Sequence, residues 1–165
     1  MKTTLKYRII ELISAAGPEF YSISDIAKKL SVAYSHAHIF VKKLASEDAI
    51  TIQKIGNVSV CRPNLKNVMA RAYLTQIEAR KTSEWIRKNP QSSKIMEKIE
   101  LIKDNVHCVL IKNNKVIIIA PEKITGADFT MFRNRIVVTQ RQIARHKGSV
   151  ILHGAEKYWG LMGTH

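Results

Sequence analysis

Cysteine, proline and glycine are all scarce in this 165-residue chain, at two, four and seven. Cys61 and Cys108 lie far apart, each inside an apolar run. That excludes a disulfide framework and a Cys-x-x-Cys pair, and it points to buried thiols in a reducing compartment. Acidic groups are few as well: 13 Asp and Glu stand against 27 Lys and Arg, a formal net charge of +14. Long apolar runs are missing. The longest wholly aliphatic stretch, Val116 to Ala120, is far below the ~20 residues a membrane span needs, and no Ala-x-Ala-type signal segment follows Met1. A soluble, cytoplasmic protein without a membrane partner is the expectation. No internal repeat, nucleophile elbow, phosphate-binding glycine loop or His-Glu-x-x-His occurs, so an enzyme reading lacks a site, and neither a cofactor nor a metal is expected.

What the chain does have is a 45% hydrophobic content, enough for a packed core despite the lopsided charge. The charge is distributed: 9 basic and 5 acidic groups fall in residues 1–63, 9 and 5 in 64–104, and 9 and 3 in 105–165. A basic tail on a neutral body is excluded, and any polyanion-binding surface has to be a folded one.

Apolar residues recur at helical spacing from Thr3 or Thr4 through Leu5, Ile9, Ile10, Leu12 and Ile13, until Gly17-Pro18 stops the helix. Ser22 or Ser24 can cap a second helix with Ile26, Ala27 and Leu30 inside, and Asp25 suits the positive end of its dipole. Ser35 can cap a third, with Ala37, Phe40, Val41 and Leu44 on one face. The period then falls to two: Ile50 and Ile52 open a strand, Gly56-Asn57 reads as a tight turn, and Val58, Val60 and Arg62 return to Pro63.

This order, with Ile26-Ala27-Lys28-Lys29-Leu30-Ser31-Val32, then Phe40-Val41-Lys42-Lys43-Leu44 and Ala49-Ile50, resembles winged helix-turn-helix transcription regulators of the multiple-antibiotic-resistance-regulator type over about residues 3–63. Asp48 stands where that family usually has a glycine. The resemblance implies sequence-specific binding of double-stranded DNA, since a major groove admits one α-helix. Tyr34, Ser35, His36, His38, Ile39, Lys42 and Lys43 lie opposite the apolar face of the third helix. Ser35, His36 and His38 can meet base edges, Tyr34 can stack or bond a phosphate, and Lys42 and Lys43 can hold the backbone. Lys54 and Asn57 sit at the wing tip. Each has a plainer reading: Tyr34 as packing, the lysines as solvated charge, the whole module as a protein-interaction surface. His36 and His38, two apart on a helix, point about 200° apart and cannot share a zinc ion.

After Pro63, Asn64 is a candidate N-cap for a helix from Leu65 to Lys88, roughly 36 Å long. Its candidate apolar positions are Leu65, Val68, Met69, Ala72, Ile77, Trp85 and Ile86. It packs on the C-terminal part or pairs with a second copy; a homodimer would place two recognition helices one DNA turn apart. The expected division is a winged-helix domain at 1–63, a linking or dimerisation helix at 64–90, and a C-terminal α/β domain at 91–165, an α+β chain in all.

In that last part Ser92-Ser93 can cap a helix through Ile102. Val106 to Ile111 and Val116 to Ala120 read as a hairpin turning at Asn113-Asn114, Arg135 to Val138 as a third strand, the segment from Thr139 to Gly148 as a helix with Ile143-Ala144 inside, and Val150 to Leu152 as a fourth strand. The order αβββαβ suggests a mixed sheet with helices against it. The hairpin from His107 to Ile119 resembles the core hairpin of restriction-endonuclease-fold nucleases of the Holliday-junction-resolvase type. There an Asp and the Glu of a Glu-x-Lys triplet bind metal while the lysine steadies the attacking water; here His107 and Ala120-Pro121-Glu122 hold those positions. The resemblance implies a nuclease fold without catalysis, kept for nucleic-acid contact or dimer formation, or a structure-selective nuclease borrowing Glu122-Lys123 through a slipped register. Arg133, Arg135, Arg141, Arg145 and Lys147 form a second phosphate-contacting surface or a solvated face, with Arg141 and Arg145 sharing a helix face. His107, Cys108 and His153 can offer at most two inward ligands. The glycine-and-aromatic run from His153 to Gly160 reads as a pocket lining or as a C-terminal strand and aromatic plug. The operator, the direction of regulation and any small-molecule effector are not encoded legibly.

Overall fold

The computed structural model describes residues 4–15, 20–122, 124, 129–146 and 148–164. The helix stop at Gly17-Pro18 and the residues Lys123 and Lys147 lie outside them. The chain is α+β and divides into two compact units, Met1–Leu74 and Thr75–His165.

The first unit runs α1 (Leu5–Ala15), β1 (Tyr21–Ser22), α2 (Ile23–Leu30), α3 (Tyr34–Ser46), β2 (Ile50–Ile55) and β3 (Val58–Pro63). Its core is the predicted one in kind: Ile9, Ile10, Ile13, Ile26, Ala27, Ala37, Val41 and Leu44 are buried, whereas Leu12, Leu30 and Phe40 are only half-buried. Ser22 caps α2 in a reciprocal box, its hydroxyl accepting the Asp25 N–H while the Asp25 carboxylate accepts the Ser22 N–H. The same segment is a two-residue strand that pairs antiparallel with β3, Tyr21 opposite Cys61, which a dipeptide is too short to announce. The sheet order is β1-β3-β2, and β2 pairs β3 from Ile50 opposite Pro63 to Ile55 opposite Val58. Gly56 takes φ +58 in the two-residue turn, the sign a hairpin turn needs there. Asp48 adopts φ +53, entering the left-handed region that a glycine would enter without strain. Helix α3 begins two residues early: Ala33 is its N-cap, with no side-chain bond, and Ser35 lies inside the first turn.

α4 (Val68–Lys88) starts three residues after the predicted position. Residues 64–67 form a turn in which the Asn67 N–H donates to Asn64 O, and Asn67 Oδ1 accepts the Met69 N–H at 2.7 Å, so Asn67 does the capping assigned to Asn64. The buried positions are Ala70, Leu74, Ile77 and Glu78, while Val68, Met69, Ala72 and Ile86 are exposed. The division between the units falls within this helix. Tyr73, on its first-unit side, donates its hydroxyl to Glu47 at 2.7 Å and meets the Tyr7 ring edge-on.

The second unit continues with α5 (Ser92–Ile102), a 3-10 turn (Lys103–Asn105), β4 (Cys108–Lys112), β5 (Lys115–Ile119), β6 (Arg135–Val138), a 3-10 helix (Gln140–His146), β7 (Val150–His153) and α6 (Ala155–Met162). The sheet order is β6-β5-β4-β7; β4 is antiparallel to both neighbours and β5 is parallel to β6. Asn113 and Asn114 both have positive φ, the signature of a type I′ turn. Central strands β4 and β5 are buried along almost their whole length, which is why their sequence is continuous rather than alternating. Val109, Ile111, Val116, Ile118 and Ala120 meet Ile99, Ile102, Phe129 and Phe132 in one apolar cluster. Three local expectations change. Ser92 lies within α5, its hydroxyl donating to Ile86 O, and Gln91 is the cap residue. The segment after Thr139 is a 3-10 helix with Ala144 exposed. The aromatic plug sits on a helix, where Tyr158 and Trp159 are buried.

Candidate nucleic-acid interface

Of the eight residues marked for DNA, Tyr34, Ser35, His36, Lys42, Lys43, Lys54 and Asn57 are exposed and His38 is half-buried. Ala37, Val41 and Leu44 anchor the inner face of α3 in the core, so the polar positions between them face outward. A groove of about 450 Å³ brings Tyr34, His38 and Lys42 of α3 together with Ile52, Asn57, Val58 and Ser59 of the hairpin and Ser22, Ile23 and Ser24 at the start of α2. Ser35, His36, Lys43 and Lys54 lie outside it. Tyr34 stacks on His38 at 6.0 Å between ring centres, which ties the first turn of α3 to the middle of the groove. Ser22, Ser24 and Ser59 add hydroxyls that the sequence reading used only as caps or passed over. The short β1–β3 pairing fixes the start of α2 to the sheet that carries the turn, and nothing in the local sequence signals it.

Two acids of this unit are held by hydrogen bonds, while Asp48 is exposed. Glu47 accepts the Lys6 ammonium at 2.6 Å and the Tyr73 hydroxyl, and these two bonds, Lys6 first, hold its carboxyl below the ordinary range. The Ser22 hydroxyl and backbone N–H do the same for Asp25. Two further cations are held on rings: Arg62 lies 4.0 Å from the centre of Phe20 and Lys29 lies 4.9 Å from that of Tyr21. Burial pushes the Cys61 thiol up to about 11 against the opposing pull of Lys42.

In the second unit the four arginines marked for a basic surface differ in exposure and partner. Arg133 and Arg145 are exposed; Arg135 is half-buried and donates to Phe132 O at 3.1 Å; Arg141 pairs with Glu122 at 3.4 Å on the surface. At ~3 residues per turn, positions four apart on a 3-10 helix lie ~120° apart, so Arg141 and Arg145 do not share the face an α-helix would give them. Arg145 instead stands with Lys112 around His146, whose pKa is lowered by burial and then by those two cations.

Burial, then the Lys157 charge, likewise lowers the pKa of His107. Cys108 is buried, its thiol pushed up to about 12, and the partner of His153 across the strands is Val109. Among the described residues no three His, Cys, Asp or Glu side chains gather as metal ligands. No described helix is long and apolar enough to cross a membrane.

No protein-family model matches the chain, and no curated protein or solved structure does.

Proposed function

We propose that the first unit is a winged-helix module that binds double-stranded DNA, and that the chain is a transcription regulator acting as a homodimer rather than an enzyme. The observation that carries this is the groove in which Tyr34, His38 and Lys42 of α3 face Asn57 and Ser59 of the hairpin. On this reading α3 enters the major groove, where His38 and its exposed neighbours Ser35 and His36 meet base edges and exposed Ile39 can contact a thymine methyl group. Lys42, Lys43 and Lys54 contact phosphate, and Asn57 carries the wing to the adjacent groove. The exposed cations Lys42, Lys43 and Lys54 support a surface that attracts a polyanion.

The test is duplex binding as a function of salt. Affinity falls steeply between about 50 and 200 mM salt, as counterion release requires. Lys42→Ala combined with His38→Ala weakens duplex binding without unfolding the chain, because Lys42 is exposed and His38 is outside the buried core. A flat salt dependence, or duplex binding indifferent to the double substitution, rejects the reading in favour of a protein-interaction module.

A further inference from the structure

The second unit carries a separate cleft of about 490 Å³, bounded by Trp85 and the turn Asn89-Pro90-Gln91 on one side and by Ile111, Asn114 and Val116 of the β4–β5 hairpin on the other. Its volume lies in the ~300–1,000 Å³ range of small-ligand sites. The floor is apolar: Ile111 and Val116 belong to the buried cluster, and Trp85 and Ile95 pack against it. The polar groups in the lining are three carboxamides, Asn89, Gln91 and Asn114, and the Ser92 hydroxyl, which already donates to Ile86 O; no charged side chain lines the cleft although the surrounding sequence is rich in lysine. Asn89 is held in place, its Nδ2 donating to the Trp85 main-chain carbonyl oxygen at 2.7 Å.

We propose that this cleft binds a nucleobase, with adenine the preferred ring. A ring with two apolar faces and a polar edge matches an indole-and-aliphatic floor with a carboxamide rim. An anion would find no counter-charge here, and a wholly apolar ligand would strip water from three amides without replacing it. An amide offers a donor and an acceptor side by side, the complement of the adenine N6 and N7 edge, and an indole gives the base a face to stack on. The site stands apart from the proposed duplex interface in residues and chemistry, and it does not depend on that reading. The base comes either from a free nucleoside or from an unpaired stretch of nucleic acid; both present the same ring.

Calorimetric titration of the full chain with adenosine, and separately with a single-stranded ten-residue oligo-dA, distinguishes the two sources. Saturable adenosine binding identifies the free nucleoside, and binding of the oligomer alone identifies the single strand. In either case Trp85→Phe retains binding and Trp85→Ala weakens it about tenfold or more, the scale of one lost stacking contact. Gln91 is exposed, so Gln91→Glu keeps the fold and serves if Trp85→Ala does not fold; it weakens the base by about two- to tenfold through one altered hydrogen bond. Absence of binding to both probes overturns the proposal. So does oligomer binding indifferent to Trp85→Ala and Gln91→Glu, which would mark general attraction to a basic protein.

Discussion

Gly154 takes φ +74, and a methyl group built on it would come within 2.2 Å of the His107 carbonyl oxygen. A backbone atom does not yield as a side chain does, so Gly154→Ala combines left-handed strain with overpacking. The expected cost is about 2–4 kcal/mol in urea unfolding. The two thiols make a second prediction at this scale. Burial raises Cys61 to about 11 and Cys108 to about 12, so neither supplies thiolate at neutral pH. Native protein leaves an aromatic disulfide reagent unreacted, and urea exposes two equivalents; prompt native reaction would contradict the buried placement. Glu47 makes a third. Its carboxyl is depressed on folding, so the unfolded chain binds more protons, and the stabilisation is complete above the ordinary carboxylate range and disappears as pH falls through the lowered folded value. Acid titration of the first unit, followed by its tyrosine signals, shows a loss below about pH 4 that Glu47→Gln makes shallower.

At the scale of elements, capping separates two neighbouring helices. Ser22 caps α2 through both members of a box, whereas Ala33 leaves the α3 N-terminus without a side-chain acceptor. Ser22→Ala therefore costs about 1 kcal/mol, and Ala33→Ser adds about 0.5–1 kcal/mol, both read by thermal unfolding. The same comparison explains what was legible in the sequence. Helices with a contrasting inner face, α1 to α3, and hairpins with Gly-Asn or Asn-Asn turns stand out because period and turn chemistry agree. The start of α4 is ambiguous in the sequence because Asn64 and Asn67 are equally good caps, and only the turn between them chooses. Its inner face differs from the one its apolar residues suggest, because Val68 and Met69 are exposed while tertiary packing selects Ala70 and Leu74. The helix after Thr139 winds as 3-10, a hydrogen-bonding choice that apolar spacing over seven residues does not resolve. Half of the groove was visible as the polar face of α3; the part supplied by Ser22, Ser24 and Ser59 depends on the β1–β3 pairing, a long-range contact.

For the whole molecule, the charge of +14 is spread over both units, and in each some cations are engaged, as Lys6 is with Glu47, Arg141 with Glu122 and Arg135 with Phe132 O. Under the proposed function, replacing Lys42 by Ala lowers the salt slope of duplex binding by about one, whereas Arg141→Ala leaves it unchanged. Sedimentation of the free chain reports a dimer, and selected sites contain half-sites about 10 base pairs apart; a monomer with an undivided site would count against the two-fold arrangement.

Tyr73 stands ten residues beyond the hairpin yet holds Glu47 and the Tyr7 ring. Where the chain can be cut follows from that. A fragment ending at Pro63 discards the tyrosine that closes the base of the first unit, along with buried Ala70 and Leu74, and its backbone amides exchange quickly with solvent. A fragment carried through Leu74 keeps them, so the working boundary of the module lies two turns into a helix that reads, by sequence, as a linker.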